Sequence, residues 1–209
     1  MEKSRKLGVI DYGTGNLKSV VKAFEYLKTE VRIYQSPEGL DEMDAIIFPG
    51  QGSFDQCMES LVSSGLGTFL KSWIMDERPY FGICLGLQVL FEMSEEGNHP
   101  GLGLYSGRVK RFRLDSSLKI PHMGWNSVTW NVDASHWLRS NLQNEDQFYF
   151  VHSYYLSEPS RDLTCFETTY GKPFVSGVLG QNCLATQFHP EKSQAKGLQL
   201  YRNFLEKFV

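Results

Sequence analysis

The sequence predicts an α/β protein with a mostly parallel central sheet flanked by helices and an additional mixed or antiparallel β region. Three observations carry this reading. In the first half, short apolar runs alternate with longer amphipathic ones, the rhythm of βαβ units. From about Gly103 the texture changes to short β-like runs broken by Gly, Pro and Asn. The chain closes with Leu198, Tyr201, Phe204, Leu205 and Phe208 on one face, an amphipathic helix returning to the core.

Residues 7–10 read as the first strand, and residues 11–15 as the turn after it. Leu17, Val20, Val21, Phe24 and Leu27 then repeat at helical spacing, giving a helix over about 16–28 with Asn16 placed to cap it. Residues 31–34, 45–48 and 80–83 read as further strands, with helical material around 54–62, 65–76 and 85–93. The second half offers β-like runs at 104–112, 126–130, 147–151, 162–169, 173–179 and 183–188. No repeat, linker or low-complexity tract interrupts the chain, so residues 1–209 read as a single domain.

Composition narrows the class of function. With 41% hydrophobic and 22% charged residues, the chain has the balance of a soluble globular domain rather than a disordered or fibrous one. A formal net charge of −3 with scattered Lys and Arg argues against a nucleic-acid partner, which would call for a basic stripe. The polar residues 1–6 run straight into 7–10, leaving no stretch for a signal peptide or membrane span, so a cytoplasmic location is expected. Cys57, Cys84, Cys165 and Cys183 are widely separated, without zinc-ligand spacing; reduced thiols and no metal are expected. Residues 11–16, DYGTGN, suggest a dinucleotide turn, but Lys18 replaces the third glycine of G-x-G-x-x-G, so no cofactor is expected there.

Three segments carry chemistry. Gly82-Ile83-Cys84-Leu85-Gly86 stands between a predicted strand and a predicted helix, the form of a nucleophile elbow with cysteine, where the Leu85 N–H would help form an oxyanion hole. A helix N-terminus there would favour the thiolate of Cys84. Gln187-Phe188-His189-Pro190-Glu191 ends a predicted strand; alternate residues of an extended segment share a side, so His189 and Glu191 suit a base and its orienter. Phe48-Pro49-Gly50-Gln51-Gly52 leaves a central strand, where Gly50 and Gln51 can offer backbone N–H groups to a substrate oxygen. Each segment alone also fits a bland role: a packing thiol, a surface ion pair and a plain turn.

Taken together, these segments resemble the class I glutamine amidotransferases, and within them the glutaminase subunits of imidazole glycerol phosphate synthase. The resemblance spans nearly the whole chain, through DYGTGN at 11–16, FPGQGSF at 48–54, GICLGLQ at 82–88, PHMGWN at 121–126, FVHSYY at 150–155 and TQFHPEKS at 186–193. It implies a triad of Cys84, His189 and Glu191 that splits L-glutamine into glutamate and ammonia through a glutamyl thioester. It also implies a glutamine pocket of Gln88, Glu96, Ser153 and Tyr154. A docking surface for the cyclase subunit, a separate (β/α)₈ barrel completing a heterodimer, would include Trp125, Asn126, Tyr149 and Lys192. Glu96 alone would also pass for a solvated carboxylate, and Trp125 for a core aromatic.

In such proteins the resting oxyanion loop is held inactive until the partner binds its own substrate. Gln51 stands where the family usually carries valine; the donor is a backbone group, so the exchange leaves it in place. Three other readings fit some of these residues: a paralogue feeding ammonia to a sugar amidotransferase in surface-polysaccharide synthesis, a cysteine peptidase, and a non-catalytic module on the same fold.

Overall fold

The computed structural model describes residues 5–13, 17–115 and 118–209. Strand β1 (Lys6–Ile10) leads to helix α1 (Leu17–Tyr26). Strands β2 (Glu30–Tyr34) and β3 (Ala45–Phe48) follow, then α2 (Phe54–Ser63), α3 (Leu66–Met75) and β4 (Tyr80–Ile83). The four strands lie parallel in the order β2-β1-β3-β4, with Leu7 opposite both Val31 and Ala45, and Ile46 opposite Tyr80. AIIF and YFGI are apolar throughout because both faces of β3 and β4 are covered. Alternate side chains of β3 go opposite ways: Ala45 and Ile47 into the core with Val20 and Phe24, Ile46 and Phe48 into the core with Phe54, Leu61 and Leu70.

After a four-residue helix α4 (Leu85–Gln88) come β5 (Met93–Ser94), β6 (Arg108–Arg111), β7 (His122–Ser127), β8 (Thr129–Trp130) and β9 (Gln147–His152). Next are β10 (Tyr154–Ser157), β11 (Thr164–Tyr170), β12 (Lys172–Leu179), β13 (Cys183–Thr186) and the closing helix α5 (Gln194–Phe208). Strand β13 completes the parallel part beside β4, and its other edge takes β12 antiparallel, with Val178 opposite Ala185. The sheet continues through β10, β6 and β5, while β11 pairs with β12 and carries β8. Strands β7 and β9 form a separate antiparallel ribbon in which His122 faces His152. Helix α5 returns to the α1 face, its Tyr201 ring 4.4 Å from Phe24 and 5.1 Å from Phe81.

The departures from the sequence reading have identifiable causes. The helix predicted over 85–93 stops at Gln88, because the carbonyls of Val89, Leu90 and Phe91 accept hydrogen bonds from Leu102, Leu104 and Gly103 instead of from a following helical turn. The run 104–112 is strand only over Arg108–Arg111, after Gly107 at φ 140°. The run 126–130 divides into the end of β7, which starts earlier at His122, and the short β8. Strand β10 was hidden behind β9, from which Ser153 alone separates it. Asn16, the expected cap, lies outside the described residues, as do Thr14 and Gly15; of the turn before them, Asp11 Oδ1 accepts the Gly13 N–H at 3.0 Å.

Candidate active site

Cys84 sits between β4 and α4 with φ 50° and ψ −97°, a left-handed backbone that side-chain-bearing residues adopt only under constraint. The flanking glycines make this turn possible. A Cβ on Gly82 would lie 2.4 Å from the Gly86 carbonyl oxygen, and one on Gly86 would lie 2.5 Å from that of Phe48. Strand β13 holds the cysteine from the other side: the Cys84 N–H donates to the Thr186 carbonyl at 2.6 Å, and Gln187 Nε2 donates to Sγ at 3.4 Å. Because α4 is a single turn, the helix-dipole contribution expected from a nine-residue helix shrinks to that of the first few N–H groups.

His189 and Glu191 meet in a different way from the one the sequence suggests. Strand β13 ends at Thr186, and residues Pro190–Lys192 form a 3₁₀ turn, so the two side chains converge through a turn and not through strand alternation. Pro190 supplies the reason, since its fixed φ starts a helical turn and it has no N–H for a ladder. Ser193 clamps the turn by donating its hydroxyl to the His189 carbonyl at 2.6 Å and accepting the Tyr149 N–H at 2.9 Å. The result is a nearly solvent-free pair, His189 Nδ1 to Glu191 Oε1 at 2.7 Å. Burial lowers the imidazole pKa, but interactions with Cys84 and with the Glu191 carboxylate outweigh it and hold the ring above its usual range. The remaining ring nitrogen, Nε2, is buried, and with Nδ1 held by Glu191 it is the atom left for the interaction with Cys84.

A cavity of about 350 Å³ opens over the thiol. Its wall brings together Gly50, Gln51, Cys84, Leu85, Gln88, Glu96, Ser153, Tyr154, His189 and Lys192, which lie far apart in sequence. Gly50 packs directly on the elbow; a Cβ there would fall 1.9 Å from the Ile83 carbonyl oxygen and 2.5 Å from the Leu85 nitrogen. The next N–H, that of Gln51, donates to the Tyr12 hydroxyl at 2.8 Å, and the same hydroxyl lies 2.6 Å from the Gln51 carbonyl and 3.2 Å from that of Pro49. Glu96 is half-buried, and its Oε2 accepts the Phe54 N–H at 3.1 Å, so it is not a freely solvated carboxylate. Burial raises its pKa, the Phe54 bond lowers it and nearby Asp55 raises it, leaving it above the ordinary carboxylate value.

Residues 8–208 match the model of the family described as class-I glutamine amidotransferase. The chain belongs to the class I glutamine amidotransferase family. The imidazole glycerol phosphate synthase subunit HisH of Trichodesmium erythraeum is 42% identical over 204 residues, covering 97% of this chain and 95% of the relative. The subunit of the same name from Acinetobacter baylyi is 41% identical over 202 residues, covering 96% and 98%. Among solved structures, PurLQS from Thermotoga maritima superposes with a TM-score of 0.77 at 16% identity, covering 99% of this chain and 100% of that one. A structure described as a glutamine amidotransferase does so at 0.74 and 19%, covering 96% and 97%. At such identities these two structures speak for the fold alone.

In this amidotransferase the remaining sequence-predicted residues, Trp125, Asn126 and Tyr149, are not part of the cavity wall. Trp125 is 45% exposed, which rules out a core role; its ring stands 6.0 Å from that of Tyr149, over which Lys192 Nζ sits at 6.0 Å. Met123, 61% exposed, extends this patch. Asn126 differs, turning its amide inward to His122 and the Thr169 carbonyl. Sequence reasoning gave no role to Gln187, Tyr12 or His152. For Gln187 a signal existed: a glutamine within an otherwise mostly apolar run is fully buried here, and its Oε1 also accepts Gln88 Nε2 at 3.1 Å.

Proposed function

We propose that the chain is the glutaminase subunit of an imidazole glycerol phosphate synthase, one amidotransferase domain over residues 1–209. It would release ammonia from L-glutamine for the cyclase subunit in L-histidine biosynthesis. What carries the reading is the buried Cys84, His189 and Glu191 array opening into a cavity with Gln88 and Glu96, on a chain more than 40% identical to HisH subunits along nearly its whole length. Cys84 Sγ, as thiolate, attacks the carboxamide carbon of glutamine. The charge that develops on oxygen is met by backbone N–H groups of Leu85 and of the Gly50-Gln51 loop.

His189, charged through its bond to Glu191, delivers a proton from Nε2 to the departing nitrogen as the C–N bond breaks, leaving a glutamyl thioester and ammonia. The neutral imidazole then takes a proton from water, whose oxygen displaces the sulfur and yields glutamate. Glu96 suits the substrate α-ammonium group. The Tyr12 hydroxyl, engaging the Gln51 N–H, describes a resting loop, and the patch of Met123, Trp125, Tyr149 and Lys192 beside the cavity suits docking of the cyclase. A cytoplasmic setting goes with this reading, and four free cysteines are in keeping with it.

The test is glutamate release from glutamine by the purified chain, with and without the cyclase subunit and its nucleotide substrate, and with Cys84→Ala as control. Strong stimulation that the alanine variant loses is the expected result. Activity indifferent to the cyclase would remove that partner and leave a different ammonia acceptor.

A further inference from the structure

We infer that His122 and His152 are positioning residues, linking the β7–β9 ribbon to the glutamine-binding edge of the cavity through a chain of hydrogen bonds that runs in one direction. The inference rests on the glutaminase reading of the cavity. Its basis is a set of contacts that leaves each group a single role. At one end, the Ser127 N–H donates to Asn126 Oδ1 at 2.8 Å, which turns the Asn126 amide nitrogen toward His122 Nε2 at 3.2 Å. That nitrogen of His122 must therefore accept, and Nδ1 carries the proton. His122 Nδ1 lies 3.0 Å from His152 Nε2, which accepts in turn, so the His152 proton is also on Nδ1. That proton points at the Tyr154 carbonyl, 2.7 Å away, an atom that can only accept. The amide at one end and the carbonyl at the other impose the same polarity independently.

The surroundings keep both rings neutral and in place. His122 is stacked between Phe150 at 4.8 Å and Tyr170 at 4.0 Å, with Phe112 near both histidines. Burial pushes the His122 pKa down to about 4; burial likewise pushes His152 down to about 3, against the pull of the Tyr154 bond. At the cavity end, His152, Ser153 and Tyr154 all line the wall, and the Tyr154 carbonyl also receives Gln88 Nε2 at 3.4 Å. At the other end, β7 carries the exposed Met123 and Trp125. A shift of the ribbon reaches the 153–154 backbone through two rigid rings, and the substrate-binding edge moves with it.

Two measurements test this on the full chain. With ¹⁵N-labelled histidine at neutral pH, His122 and His152 should both show a protonated Nδ1 and a bare Nε2; a protonated Nε2 on either ring would overturn the inference. In the complex with the cyclase subunit and its nucleotide, His122→Phe keeps the stacking and deletes both bonds of that ring. It should raise KM for glutamine about three- to tenfold, the effect of the one neutral hydrogen bond, to His152, that leads to the cavity, with kcat within about twofold. His152→Asn retains a donor toward the Tyr154 carbonyl and should raise KM less; it also carries the kinetic test should His122→Phe not fold. An unchanged KM, or a fall in kcat alone, would sink the positioning role. Absence of glutamine turnover in the unmutated complex would instead defeat the glutaminase reading, while the tautomer measurement still decides the hydrogen-bond chain.

Discussion

Replacing Tyr12 by phenylalanine should release the loop after β3 and raise glutamine hydrolysis by the isolated chain. The Tyr12 ring is buried and stacked on Phe48 at 5.2 Å, a contact that phenylalanine keeps. What is lost is the hydroxyl, which accepts the Gln51 N–H at 2.8 Å and has one proton to offer the Gln51 or Pro49 carbonyl, at 2.6 and 3.2 Å. Two neutral hydrogen bonds, each contributing roughly 0.5–1.5 kcal/mol, favour the present loop by about 1–3 kcal/mol in all. Their removal shifts the balance toward a loop whose Gln51 N–H is open to substrate by about 5- to 150-fold. Basal glutamate release, followed by coupled assay without the cyclase, should rise by a factor in that range. Stimulation by the cyclase should shrink by the same factor, because partner and mutation act on one equilibrium. A basal rate within twofold of the unmutated chain, or basal and stimulated rates falling together, would refute the latch.

Glu191→Gln should lower kcat about 10³–10⁴-fold with little change in KM, as expected when a buried carboxylate no longer holds the imidazole tautomer and its charge; a loss under tenfold would deny Glu191 that role. Gly50→Ala should abolish turnover and lower the melting temperature, since its Cβ would fall 1.9 Å from the Ile83 carbonyl oxygen, a backbone atom that cannot step aside. Urea unfolding as a function of pH should show stability lost as pH falls from about 6.5 to about 4. In that window the unfolded chain takes up protons that buried His122 and His152 refuse, and His122→Phe should flatten the slope. His189 acts with the opposite sign. Its raised pKa contributes stability that is fully present below about 6.5 and lost as pH rises through the folded value of about 10, and Glu191→Gln should reduce that alkaline decline.

The sequence by itself determined the elements whose signals are local. Residues 45–48 and 80–83 read correctly as strands because a parallel strand covered on both faces must be continuously apolar. The ends of α1, α2 and α3 were placed to within about two residues, and α5 showed its apolar face from Leu198 to Phe208, although it starts four residues earlier, at Gln194. The elbow was equally legible, since only glycine fits at positions 82 and 86. Other features depended on partners distant along the chain. Helix α4 stops after one turn because a loop twelve to fourteen residues further on, 102–104 against 89–91, takes the next carbonyls. The meeting of His189 with Glu191 was foreseen, but through a strand; a proline-started turn clamped by Ser193 brings it about. Tyr12 against the loop after β3 and the His122–His152 chain have no local signature, and for Gln187 under the thiol the sequence offered only a glutamine within a mostly apolar run. Their roles arise from hydrogen bonds between residues 30 to 103 positions apart, and such pairings are decided only when β7, β9 and β13 take their places around the elbow.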